Sequence, residues 1–223
     1  MRSLFSFIVF FIWHIGSVFA ATPVILFDCG GVIVKPDENA LVQLIKEVLH
    51  LNAAEMKSLT DSMEQAQKEG IYDKIFWPSY AASHGIVLPE DWLGILGDCY
   101  VSSMYEIPGM MQLVKELQSR GIHTPMLSNI RERHAKVIAD KGIYDAFHPL
   151  FLSYAIDAWK PDRQAFDYVL GRLQIPARDC IFIDDEIQNI RAARELGIDA
   201  ILFESVEQLQ QELNMRDLYG KGM

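Results

Sequence analysis

From residue 23 onward, short unbroken apolar runs alternate with longer stretches in which apolar residues recur at helical spacing. Val24–Phe27 and residues 123–127, 150–153, 180–183 and 200–203 have the length and continuity of parallel strands buried on both faces. Helical patterns lie between them. Residues 110–120 follow Pro108-Gly109 and stop at Gly121, and residues 132–141 stop at Gly142. Arg163–Leu173 follows Lys160-Pro161, and residues 187–196 stop at Gly197. Proline at a helix start and glycine past its end are the expected punctuation. The alternation predicts an α/β fold: a doubly wound parallel sheet with right-handed crossovers. One residue resists the pattern. Pro125 falls inside the second predicted strand, where a missing N–H is hard to place in a central position.

Residues 37 to about 105 break the alternation. Residues 40–49, Ala53–Lys68, and residues 71–84 and 91–104 all have helical spacing, with no convincing strand. They read as an all-helical insertion between the first strand and its helix. The predicted organisation is a small helical cap over 37–106 and an α/β core made of 21–36 and 107–223. Residues 219–223 look like a frayed tail.

Residues 1–20 read as a secretory signal peptide. Arg2 supplies the positive start, residues 4–13 are almost wholly apolar, and Val18-Phe19-Ala20 places small residues where a signal peptidase reads. Cleavage after Ala20 implies export, either periplasmic or fully secreted, with no stable membrane association afterwards. The rival reading is an uncleaved anchor, but a comfortable span needs about 20 apolar residues.

Of 223 residues, 50% are hydrophobic and 22% charged, enough for a sizeable core without staples. The net charge of −10 and the lack of a basic run exclude a nucleic-acid partner. An anion site in such a chain must bring its own positive charge. Cys29, Cys99 and Cys180 are far apart and odd in number, so they read as buried small hydrophobes rather than a disulfide framework. The oligomeric state is open.

Chemistry gathers where the predicted strands end. The first ends at Asp28, the second at Ser128-Asn129 and the fourth at Asp184-Asp185, with Lys160 in the loop after the third. In an open parallel sheet these carboxyl ends share one edge, where ligands bind. A carboxylate, a hydroxyl with an amide, a cation and an acidic pair suit a phosphate held on a hard metal ion. A carboxylate can also attack phosphorus and carry it as an aspartyl-phosphate. Read alone, Asp28 could be a cap, Ser128-Asn129 could cap the next helix, and Lys160 could be a solvated loop lysine. The acidic pair is harder to explain away, because buried acids need a counter-charge.

Four segments in order, VILFDCGGV, MLSN, WKPD and IFIDDEIQNIRAARELG, resemble the four motifs of the haloacid dehalogenase superfamily, and the helical insertion lies where that family places its cap. The resemblance implies a Rossmann-like core and a Mg²⁺-dependent hydrolase acting on a small phosphorylated metabolite, with a sugar phosphate the best single guess. It implies that Asp28 attacks phosphorus, that Ser128 and the Asn129 backbone hold the phosphoryl oxygens, and that Lys160 neutralises charge. Asp28, Asp185, Asp184 and the Gly30 carbonyl are the implied Mg²⁺ ligands.

One position departs from that pattern. The family usually carries a second Asp two residues after the nucleophile as general acid and base, and here Gly30 stands there. A general acid is worth a factor of ~10² to 10⁴. Some members resembling sugar-phosphate phosphatases also carry glycine there. Good leaving groups are therefore expected to react well and alkyl phosphates poorly. Two alternatives stay open: a carbon–halogen hydrolase, which needs neither that acid nor a metal, and a catalytically silent phosphate-binding or interaction protein. His134 is a tempting replacement acid, but its neighbours Arg131 and Arg133 favour a solvated helix surface. Trp77, Tyr80 and Trp92 read as cap core rather than pocket lining. Glu186 reads as a solvent-facing or helix-capping residue.

Overall fold

The computed structural model describes residues 24–69, 71 and 73–220. The expected signal peptide lies outside them. Among the described residues, no helix is long and apolar enough to cross a membrane.

The strands are β1 (Val24–Phe27), β2 (Val34–Lys35), β3 (Tyr105–Glu106), β4 (Met126–Ser128), β5 (Leu150–Leu152), β6 (Cys180–Asp184) and β7 (Asp199–Leu202). Five form one parallel sheet in the order β5-β4-β1-β6-β7, so β1 is central. Core helices are α5 (Met110–Ser119), α6 (Glu132–Asp140), the short α7 (Ser153–Ile156), α8 (Arg163–Leu173), α9 (Ile187–Glu195) and α10 (Val206–Met215). Side chains alternate across a strand, and two cores follow. Ile25 and Phe27 pack with Leu113 of α5, Ile138 of α6 and Leu209 of α10. Leu26 points the other way, with Phe166 of α8 and Ile190 of α9. This is the doubly wound α/β fold that the alternation predicts.

The second strand is shorter than expected and starts after Pro125, not before it. Phe27 N–H donates to the Pro125 carbonyl at 3.0 Å, so the proline contributes its acceptor and is never asked for a donor. Ser153 leaves the third strand to open α7, and the last strand is shifted one residue earlier than expected. The helix α10 had no counterpart in the sequence pattern, although its cap was visible there: the Ser205 side chain accepts from Gln208 N–H at 3.1 Å. Tyr219 is not frayed. Its hydroxyl accepts from Gln210 at 3.1 Å and its ring lies under Arg120.

Between β2 and β3 stand α1 (Glu38–Val48), α2 (Ala53–Lys68), α3 (Asp73–His84) and α4 (Trp92–Ser102). Asp37 caps α1 by accepting from Asn39 N–H. These helices enclose a cluster of their own around Leu59, Trp77 and Trp92, with Phe76 and Tyr80 beside it. The stretch is not entirely helical, because Tyr105–Glu106 pairs antiparallel with Val34–Lys35 at its root. Such a two-residue ribbon is too short to leave a period-two signal.

α4 is tied to α6 of the core. Lys141 Nζ donates to the carbonyls of Ser102 and Met104 at 3.0 and 2.9 Å, satisfying the end of α4. His134 Nε2 lies 3.1 Å from Asp98 Oδ1, with the imidazole side chain only 13% exposed. The expected solvated histidine is instead wedged against the cap helix, also close to Gly97. Cys29 and Cys180 are buried as expected, whereas Cys99 is only partly so; all three are free.

Candidate active site

The strand order places β4 and β6 on either side of β1, so Ser128, Asp28 and Asp184 end adjacent strands at one edge. Asp28 follows Phe27 directly, and its N–H is still bonded to Ile183 O at 2.9 Å, which holds it in sheet register. Lys160 arrives from the loop between α7 and α8. Its Nζ lies 2.7 Å from Asp28 Oδ1 and 2.7 Å from Asp184 Oδ2, with the side chain 1% exposed. The solvated-lysine reading is thereby excluded. Asn129 anchors this loop, donating from Nδ2 to Lys160 O at 2.7 Å and accepting Lys160 N–H at 2.9 Å.

The two oxygens of Asp28 differ. Oδ1 accepts both from Lys160 and from Cys29 N–H at 2.7 Å. Among the described residues, no hydrogen-bond donor is assigned to Oδ2, which leaves it the freer oxygen. Asp184 is saturated. Its Oδ1 accepts Glu186 N–H at 2.8 Å and Asn189 Nδ2 at 3.0 Å, while Oδ2 accepts Lys160 and, at 3.1 Å, Asn189 again. Glu186 itself is exposed and stands at the N-terminus of α9.

Asp28, Asp184 and Asp185 can each bring one carboxylate oxygen within 4.8 Å of the others. Three acids thus face one buried ammonium. Burial pushes the Asp28 carboxyl up to about 7, Lys160 opposes this, and Asp184 adds to it. Asp185 is raised to about 6, first by desolvation and then by Asp184. Much of Asp185 is exposed, yet its carboxyl lies against the Gly31 backbone, so one side is dry. Burial works against the charge of Lys160, but Asp28 and Asp184 outweigh it and hold the ammonium above its ordinary range. The Cys29 thiol is raised too, chiefly by burial, which leaves it no thiolate character.

Three contributors had escaped the sequence reading. Asn189 is 4% exposed and holds Asp184; its signal was a polar residue five positions after Asp184 on the face of α9 that turns inward. Gly31 has φ +75°, and a Cβ there would lie 2.0 Å from Asp185 Oδ2. Ser153 Oγ accepts from Ile130 N–H at 2.8 Å and donates to Ile130 O at 3.0 Å, bracing the loop after Ser128. His134 does not join the carboxylate cluster, and Trp77, Tyr80 and Trp92 are buried in the cap.

A parallel five-stranded sheet with a buried carboxylate after its central strand and acids after its neighbour has the form of an α/β enzyme core with its site at the carboxyl edge. The family model for haloacid dehalogenase-like hydrolases matches residues 22–197, and the chain belongs to that family. It is 24% identical over 212 residues to a D-ribitol-5-phosphate phosphatase of Bacteroides thetaiotaomicron, covering 86% of this chain and 96% of that one. In three other curated relatives the matched part spans only between 20% and 49% of the relative's length. Among solved structures, a hydrolase of this family from Deinococcus radiodurans with bound phosphate and sodium superposes with a TM-score of 0.66 at 17% identity, covering 90% of this chain and 98% of that one. A family enzyme from Bacteroides thetaiotaomicron in its magnesium complex gives 0.57 at 20% identity, with 86% and 98% covered.

Proposed function

We propose that the protein is a Mg²⁺-dependent phosphatase that hydrolyses a small phosphomonoester through an aspartyl-phosphate on Asp28. The observation that carries this reading is the buried bridge from Lys160 to Asp28 and Asp184, which engages Asp28 Oδ1 and leaves Oδ2 free to attack. Attack forms the Oδ2–P bond and breaks the ester P–O bond, whose electron pair leaves with the substrate oxygen. Lys160 offsets negative charge on the nucleophile and the transferring group. The Ser128 hydroxyl and the Asn129 N–H hold phosphoryl oxygens at the end of β4. Water then attacks the aspartyl-phosphate, releasing phosphate and restoring Asp28.

The donor set fits a divalent cation. Three clustered carboxylates with one ammonium leave excess negative charge. Asp28 and Asp185, with the Gly30 carbonyl, are the ligands we assign; Asp184 is saturated and instead orients Lys160. Bound there, Mg²⁺ would neutralise phosphoryl oxygens and take the rest of its ligands from water and phosphate. The acid pair favours this reading over a carbon–halogen hydrolase, which would leave Asp185 without a counter-charge. The relative that acts on D-ribitol 5-phosphate supports a sugar or polyol phosphate as substrate. We further propose that residues 1–20 are a signal peptide, which the N-terminal sequence of the mature protein would test.

The deciding experiment is hydrolysis of an aryl phosphate with Mg²⁺ and with a chelator, beside Asp28→Asn. Mg²⁺-dependent phosphate release that the variant lacks is expected. Absence of release under every condition would overturn the proposal in favour of a binding protein or a dehalogenase.

A further inference from the structure

We propose that His134 is a proton-dependent latch between core and cap: protonated, it ties α6 to α4 through Asp98, and on losing its proton it frees α4 to shift away from the core. This device is independent of the reaction at Asp28. It bears on access to that site because the cap rises from the same edge of the sheet: β2 pairs with β3 at the root of the cap, and Val34 bridges to Gly30 in the loop of Asp28.

Basic residues of α6 and its C-terminal end grip α4 along its length. Near the start of α4, Arg133 Nη2 donates to Gly94 O at 3.2 Å. At its end, Lys141 Nζ donates to the carbonyls of Ser102 and Met104. Guanidinium and ammonium keep their charge through the neutral range, so both grips are indifferent to pH there. His134 acts between them, with Nε2 at 3.1 Å from Asp98 Oδ1. Gly97 admits the ring: a Cβ at that position would come within 3.0 Å of His134 Cε1. Beside this contact α1, α4 and α6 leave a cleft of about 450 Å³ between cap and core, walled by Leu44, Ile95, Val101 and Val137. That space gives α4 room to shift.

The same ring nitrogen meets a second neighbour. Arg133 Nε lies 3.2 Å from His134 Nε2 as a donor. Nε2 therefore faces an acceptor on the cap and a donor on its own helix, and its proton decides between them. Protonated, the imidazolium donates to Asp98 in a charge-assisted bond. With the proton gone from Nε2, the nitrogen accepts from Arg133 and turns a lone pair on the Asp98 carboxylate. Imidazole changes charge between pH 5 and 8, where carboxylates and guanidinium keep theirs. No other group facing the ring competes in that range. From α4, the Cys99 thiol is raised by burial and by Asp37 and stays neutral. From α6, Arg133 stays charged and pairs with Asp98 at 3.2 Å, while Arg131 and Glu132 before it are exposed. α1 brings Leu44, which is apolar.

A double-mutant cycle of His134→Gln and Asp98→Asn, read by urea unfolding at pH 5.5 and pH 8, measures the latch. The glutamine keeps a polar group but cannot titrate. The cycle cancels the titration of Asp28 and Asp185 and the pairing of Asp98 with Arg133, leaving the coupling between positions 134 and 98. That coupling is expected to be about three- to fivefold in the unfolding constant at pH 5.5 and close to unity at pH 8. Backbone amide exchange locates the effect. At pH 5.5 the amides of α4 should exchange faster in His134→Gln than in wild type, with those of β1 and β6 unchanged, and at pH 8 the two proteins should match. A coupling that is the same at both pH values, or α4 amides that do not distinguish the two proteins at pH 5.5, overturns the latch.

Discussion

Asn189 donates from one amide nitrogen to both carboxylate oxygens of Asp184, at 3.0 and 3.1 Å, in a setting where both side chains are buried. Its own Oδ1 finds no protein partner there. A buried amide that accepts such a cost is holding an acid in place. Asn189→Ala should leave Asp184 short of donors, which costs about 1–3 kcal/mol by the usual penalty for an unsatisfied buried group. It should also lower kcat, because Lys160 takes its position from Asp184. Urea unfolding and steady-state kinetics check this together; unchanged stability would show that water replaces the amide without loss.

Lys160→Met should be the most damaging single change at the site. Removing one partner of a buried ion pair costs about 3–5 kcal/mol, and here it strands two carboxylates, Asp28 and Asp184. Protonation relieves the stranded charge, so the variant should regain stability relative to wild type as pH falls from 8 to 5. Thermal melts at the two pH values decide the point, and a gap that widens on acidification would contradict it.

Asp28 and Asp185 predict a pH dependence of the metal-free protein. Both folded-state pKa values, about 7 and about 6, lie above the ordinary 3.8. The folded state therefore binds these protons more tightly than the unfolded chain, and their contribution to stability is complete below about pH 3.8 and lost as pH rises through 6 and 7. In chelator, Asp28→Asn should melt higher than wild type at pH 8, with the difference shrinking by pH 5. Mg²⁺ at pH 8 should raise the wild-type melting temperature by mass action, and more than it raises that of the variant. A wild type that melts above Asp28→Asn at pH 8 in chelator would count against the desolvated carboxyl.

Gly30 and Gly31 are neighbours with opposite expectations. Gly30 lies outside the left-handed region, and its Cβ would meet nothing within 4 Å. Gly30→Asp should fold with stability close to wild type and speed alkyl phosphates, by up to the ~10² to 10⁴ that a general acid can supply. Gly31→Ala puts a Cβ at a left-handed φ of +75° and onto the Asp185 carboxylate. That variant should lose about 1 kcal/mol or more of stability and bind Mg²⁺ more weakly, which calorimetric titration reads directly.

Much of this protein is written in local order. The runs at Val24–Phe27 and near β6 are continuous because both faces of the sheet are covered, and a short-range pattern records that burial directly. Glycines at 121, 142 and 197 mark helix ends because each adopts a positive φ. Since parallel strands all finish at one edge, sequence order alone brought Asp28, Ser128 and Asp184-Asp185 together. What the tertiary structure decided is everything that depends on direction rather than period. Pro125 was tolerable because its carbonyl, not its missing N–H, meets Phe27. Lys160 became a buried bridge because Asn129, 31 residues away, holds its backbone. His134 was turned against Asp98 by the docking of α4 on α6, an event with no period to read. A side chain's identity sets what chemistry it can perform; its partners, and hence its charge state and role, come from contacts between segments far apart in the chain.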